Sequence, residues 1–187
     1  IKANRGWWAN KWGIQIGAKF IDIFGIKNLD LQVEHNRVRP FTYSHFDSVG
    51  NYTHYNQRMA HPLMANFKEF TGIARYQPAP KWLAVAKIIY YQQGRDSSSQ
   101  SFGSNIFLPN GTPYRIGDFG YEIGSGWKTN VLYASFLLSY EFRDNFFVEV
   151  HGVYRKQETK TPPLTSTNTS IISLGVRWNM QRREFDY

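Results

Sequence analysis

Cysteine is absent from this 187-residue chain. Disulfides, thiol catalysis and thiolate metal centres are thereby excluded. There is also no run of about 18 apolar residues, which rules out a membrane-spanning helix. A barrel wall survives that test, because its strands carry only an alternating signal and tolerate a negative mean hydropathy. No repeat of solenoid length is visible. The net charge of +8 comes from cations scattered along the chain, not gathered in one basic patch. That dispersal argues against nucleic acid and leaves anionic lipid or an acidic polysaccharide as the partners such a charge would attract. The chain lacks an initiator Met and a signal peptide, opening Ile1-Lys2-Ala3-Asn4-Arg5. An exported protein needs a leader, so the N-terminus is expected to have been trimmed or to lie upstream.

What the chain has in abundance is aromatic residues, with fourteen Phe, twelve Tyr and six Trp. That supply suits β structure and membrane-interface girdles. The organising stretch runs from Lys128 to Arg155. Leu132, Ala134, Phe136, Leu138, Tyr140 and Phe142 fall on one side, and Tyr133, Ser135, Leu137, Ser139 and Glu141 on the other. After Asp144-Asn145 the alternation resumes with Phe146, Val148, Val150, Gly152 and Tyr154 opposite Phe147, Glu149, His151, Val153 and Arg155. Side chains alternate faces along a strand, so this spacing predicts a hairpin. Strands of this length exceed the roughly 5–6 residues usual in soluble proteins and match the roughly 9–11 of a tilted membrane strand.

The same reading predicts strands near 12–20, 29–36, 69–77, 82–93 and 172–180. Short turns are expected at about 24–28, 78–81 and 143–145, and long loops at about 40–68, 94–127 and 157–169. The fold class is therefore all-β, an antiparallel transmembrane β-barrel within which residues 1–187 form part of one domain. By the usual asymmetry of outer-membrane barrels, the short turns are periplasmic, the long loops extracellular and the C-terminus periplasmic. Single-chain bacterial barrels have even strand numbers. Seven strands thus imply the C-terminal portion of a larger barrel, unless an eighth is hidden in 1–11 or 113–123.

Alternation directs Glu34, Lys87, Glu141, Glu149, Arg155 and Arg177 to a wet lumen, where they line a channel or pair across strands as ladders. The first long loop concentrates aromatics, amides and histidines. Tyr52, His54, Tyr55, Asn56, Gln57, His61 and Asn66 are glycan-binding candidates, rings for stacking on sugars and amides for bonding hydroxyls. The competing reading is that this loop folds back to brace the barrel, its polar groups satisfying one another. His45, His54 and His61 match no metal-ligand spacing. No nucleophile elbow is present, and the glycine-rich run 117–126 lacks the strand-to-helix setting of a phosphate site. Neither enzyme activity nor a metal or cofactor is expected.

The segment Asn51-Tyr52-Thr53-His54-Tyr55-Asn56-Gln57-Arg58-Met59-Ala60-His61-Pro62-Leu63, with Asn28-Leu29-Asp30-Leu31-Gln32 and Arg37-Val38-Arg39-Pro40-Phe41 before it, resembles the C-terminal region of the Wzi and RemB group. These are Bacteroidetes outer-membrane proteins linked to capsule assembly and gliding motility. The resemblance is strongest over 12–93. It implies a large outer-membrane barrel, without enzymatic activity, that attaches or exports capsular or other exopolysaccharide. The alternatives are an accessory subunit of a motility or secretion complex and a diffusion porin. Implied partners are outer-membrane lipid and lipopolysaccharide, surface polysaccharide, and other outer-membrane proteins or lipoproteins. Group members more often have Pro-Leu and Gly where this chain has Arg58-Met59 and Met64.

Overall fold

The structure, a computed structural model, describes residues 5–111, 113–115, 117–161 and 163–180. Among them are nine strands and no α-helix: β1 (Gly13–Phe20), β2 (Leu29–Val38), β3 (Thr53–His54), β4 (Gln57–Arg58), β5 (Phe67–Tyr76), β6 (Trp82–Arg95), β7 (Trp127–Arg143), β8 (Phe146–Thr159) and β9 (Thr165–Trp178). Seven of these form one antiparallel sheet in the order β1-β2-β5-β6-β7-β8-β9. β3 and β4 make a separate hairpin inside the first long loop.

Register keeps one chemistry on each face. Glu34 pairs with Thr71, Thr71 with Ile89, Ile89 with Tyr133, Tyr133 with Arg155 and Arg155 with Thr169. Counting by twos from that row places Glu34, Lys87, Glu141, Glu149, Arg155 and Arg177 on the same polar face, as the alternation predicts. The opposite face carries the row Phe20, Leu31, Ala74, Ala86, Phe136, Gly152 and Ile172. On this face Val33, Phe70, Tyr90, Leu132, Tyr154 and Ile172 are the last apolar residues towards the long loops, and beyond them stand His35, Lys68, Gln92, Asn130, Lys156 and Ser170. One apolar border therefore crosses six consecutive strands.

The turns follow from local chemistry. Between β1 and β2, Asp22, Phe24 and Asn28 adopt φ of 52°, 58° and 61°, and the Asn28 amide donates to Asp22 Oδ1 at 2.6 Å. Pro78 and Pro80 cannot continue a ladder, and Trp82 N–H closes their turn on Ala79 O at 3.0 Å. Asn145, at φ 62°, closes the β7–β8 hairpin.

One expectation is corrected. The loop expected at 157–169 shrinks to 160–164, because β8 runs to Thr159 and β9 starts at Thr165. Thr165, Thr167 and Thr169 are β-branched and pair with Thr159, Gln157 and Arg155; their polarity suggests a loop, yet their χ1 stiffness favours a strand. No eighth strand lies in the described parts of 1–11 and 113–123. The expected tail, 181–187, lies outside the described residues.

The sheet does not close on itself among the described residues, since β1 and β9 pair on one side only. Every residue of both strands is exposed, including Ile172 at 83% and Leu174 at 81%. The apolar core lies at the loop end instead. There Val38, Ala65, Phe67 and Ile106 pack with Tyr43, Leu63 and Met64, and Phe41 packs edge-on against Tyr121 at 5.0 Å. At about 2–3 kcal/mol per buried aromatic, this cluster fixes the two long loops into one cap on the sheet.

Candidate functional site: a roofed polar face and an exposed aromatic hairpin

The cap leaves a cavity of about 550 Å³ on the polar face. Its floor is Thr71, Ile89 and Tyr133 of one cross-strand row, with Glu34 at one end and Arg155 at the other, Lys87 beside them, and His61 to Leu63 as roof. Leu63 N–H donates to His61 Nδ1 at 3.1 Å, so Nδ1 accepts and Nε2 carries the hydrogen. That Nε2 lies 3.0 Å from Glu69 Oε2, which also accepts from Asn36 Nδ2 at 2.9 Å. The imidazole stacks on Phe67, 4.5 Å between centroids. His61 thus clasps the loop to the polar face, while its exposed part meets the cavity.

The six lumen candidates separate into three roles. Glu34, Lys87 and Arg155 line the cavity, Glu34 accepting from Gln32 Nε2 at 2.6 Å and Arg155 donating to Gln157 Oε1 at 2.6 Å. Glu149 and Arg177 form a ladder, with guanidinium donors at 2.9 and 3.0 Å on Glu149 Oε1. Ser139 donates to the same oxygen at 3.0 Å, and Arg177 lies 4.0 Å over the Phe147 ring. Glu141 braces the hairpin turn by accepting from Asn145 N–H at 2.9 Å. Cavity lining and ladder pairing fall to different residues.

The loop candidates also divide. Tyr52, His54, Tyr55, Asn56 and Gln57 cluster on the β3–β4 hairpin. Its two turn residues, Tyr55 and Asn56, both sit in the left-handed region at φ 46° and 57°, as a type I′ turn requires. Asn tolerates that geometry, but a bulky aromatic there is strained by about 1–3 kcal/mol. The strained ring is 88% exposed. His54 packs edge-on against it at 4.4 Å, and Tyr52 stacks on Tyr43 at 5.8 Å. Beside the hairpin runs an open groove of about 620 Å³ lined by Asn56, Gln57, Arg58, Pro62, Met64 and Phe107. Sugar rings can stack on the tyrosines, hydroxyls can bond the amides, and Arg58 can meet a carboxylate. Arg58, outside the sequence candidates, lines the same groove as Asn56 and Gln57; its signal in the sequence is a lone cation inside an aromatic and amide run.

Asn66 is corrected outright. It is fully buried, and its Nδ2 donates to the carbonyls of Gly94 at 2.8 Å, Phe102 at 3.1 Å and Ser125 at 2.8 Å. Its Oδ1 accepts from Gly124 N–H at 2.8 Å. No sugar reaches it; it ties the loop-side end of β6 to two segments of the cap. The glycine-rich run finds its use here, since Gly124 at φ 96° supplies that donor. The loop histidines stay apart, His45 lying against Phe46, His54 on the hairpin and His61 on the cavity. Among the described residues no three His, Asp or Glu side chains come together around a metal position. No family model, no curated protein and no solved structure matches this chain.

Proposed function

We propose that these seven strands are part of the wall of an outer-membrane β-barrel, the C-terminal portion of a larger one, that attaches or exports surface polysaccharide without catalysis. The apolar face supports a membrane setting. From Leu132 to Phe142 on β7 it spans about 34 Å at ~3.4 Å per residue, or about 26 Å in height at a tilt of ~40°, against the roughly 25 Å apolar band of such barrels. Aromatics edge it, with Tyr76, Trp82, Tyr140, Phe146 and Trp178 near the short turns and Phe70, Tyr90 and Tyr154 near the loops. The exposed apolar strands β1 and β9 then call for lipid on one face and further wall strands along their free edges. Two long loops at one end and short turns at the other support a reading with the cap extracellular and the turns periplasmic.

The observation that carries the polysaccharide role is the hairpin: a strained, 88% exposed Tyr55 held up on a rigid cap beside amides and Arg58. The test combines reconstitution into vesicles with binding to the producing cell's own purified surface polysaccharide. Tyr55→Ala and Arg58→Gln are expected to insert normally and to weaken binding about tenfold each. Unchanged binding in both variants refutes the hairpin assignment, and failure of the full-length protein that carries these strands to insert refutes the barrel.

A second reading, a docking platform in a motility or secretion complex, is favoured by apolar residues on the outer surface of the cap. Phe46 is 72% and Val49 87% exposed. Stoichiometric co-purification of another outer-membrane protein, lost on Val49→Asp, would support that reading over glycan binding. An open porin fits less well, because the loop that carries His61 to Leu63 roofs the polar face.

A further inference from the structure

The outward face carries an arrangement that its own residues do not stabilise. Arg37 on β2 and Lys68 on β5 are register partners, so their Cβ atoms stand about 5 Å apart on one face, and like charges directly opposite each other are destabilising. Both side chains are exposed. Among the described residues no carboxylate answers either charge. Arg37 lies over the Trp12 ring at 5.6 Å, and among the described residues the Lys68 side chain forms no hydrogen bond or ion pair. The neighbouring positions show what a balanced arrangement looks like. On β8 the outward Lys156 has Glu158 at 2.6 Å. Arg37 and Lys68 have each other and the exposed His35, two residues along β2.

Their height on the wall is equally specific. Lys68 is the first outward residue of β5 beyond Phe70, and His35 the first of β2 beyond Val33, so the cations sit where the apolar band ends, on the loop side. Trp12 stands at the same border, an aromatic with a polar edge.

We propose that Arg37 and Lys68, with His35 and Trp12 beside them, bind the phosphate of an anionic lipid headgroup in the outer leaflet. A phosphate offers several acceptor oxygens to a guanidinium fork and an ammonium at once. Its acyl chains would continue down the apolar face past Phe70 and Val33. The inference rests on the membrane reading above and deepens it, naming the lipid contact of the same wall.

The test uses the full-length protein that carries these strands, reconstituted in phosphatidylcholine nanodiscs containing lipid A, with retained lipid A counted by native mass spectrometry. Arg37→Gln with Lys68→Gln is expected to lower lipid A retention at least tenfold, each single change about threefold, and Lys160→Gln on the β8–β9 turn not at all. Lipid A lacking its phosphates should be retained no better by the parent than by the double variant. Equal retention by parent and double variant, both inserted, overturns the proposal while leaving the barrel intact. Displacement of lipid A by millimolar inorganic phosphate would overturn it in favour of a free-anion site. Failure of the parent to insert overturns it together with the barrel itself.

Discussion

Replacing Asn66 by Ala should release the cap without unfolding the sheet. The two Nδ2 hydrogens, shared among the carbonyls of Gly94, Phe102 and Ser125, are lost, and the bond accepted from Gly124 N–H goes with them. At about 1 kcal/mol net for each of these three hydrogens, and with the left-handed backbone at φ 60° adding about 1 kcal/mol for an alanine, the cost comes to about 4 kcal/mol. It joins 102 and 124–125 of the cap to Gly94 at the loop-side end of β6, so the loss falls on the detachment of the cap from the sheet. The ladder from β5 to β8 keeps its register pairs throughout. Amide hydrogen exchange read on peptides should separate the two. Cap amides around 102 and 124 are expected to exchange about a thousandfold faster, at ~1.4 kcal/mol per tenfold, while amides of 131–140 stay near their parental rates. Asn66→Gly removes the same hydrogen bonds without the backbone penalty and should be less harmful by about 1 kcal/mol. Cap exchange within threefold of the parent in Asn66→Ala would refute the hub, and equal acceleration in the sheet would refute the separation of cap from wall.

Three shorter predictions test other parts of the structure. Leu138 and Leu137 are sequence neighbours on opposite faces: Leu138→Arg points into the apolar band and should cost about 2–4 kcal/mol, whereas Leu137→Arg joins the polar face and should assemble nearly normally, as judged by heat-modifiable migration in detergent. Gly94→Ala would drive a Cβ into the Ser125 carbonyl and to within 2.6 Å of Asn66 Nδ2, so it should reproduce the exchange pattern of Asn66→Ala from the other side of the hub. Tyr55→Gly relieves the strain at φ 46° and should stabilise the hairpin by about 1 kcal/mol while abolishing its share of glycan affinity; a destabilised hairpin would show that the ring packs more than it binds.

The antiparallel sheet was legible in the sequence because its cause is periodic. Leu132 to Phe142 against Tyr133 to Glu141 alternates so regularly that face and strand follow from one rule, and the register pairs inherit it. Asn66 was not legible, because nothing local separates it from Asn51 or Asn56; its role depends on Gly94, Phe102, Gly124 and Ser125 arriving from distant stretches. His61 was half legible. Its chemistry marked it as a site residue, but its orientation was set by Glu69 and Phe67, which reach it only once β5 pairs with β2. The polar run Thr165 to Thr169 was misread as a loop because an apolar face was taken as the mark of a strand. Beyond the apolar border Lys128, Asn130, Lys156, Glu158, Ser166 and Asn168 stand on the outward face without breaking the ladder. That polar extension of β7, β8 and β9 bears on the proposed glycan binding. It carries the sheet past the border marked by Tyr154 and Ile172, so the wall beside the cap is hydrogen-bonded ladder rather than loop. A binding hairpin presented at the surface needs such a base, because a strained Tyr55 keeps its geometry only where the surrounding structure is too rigid to relax it.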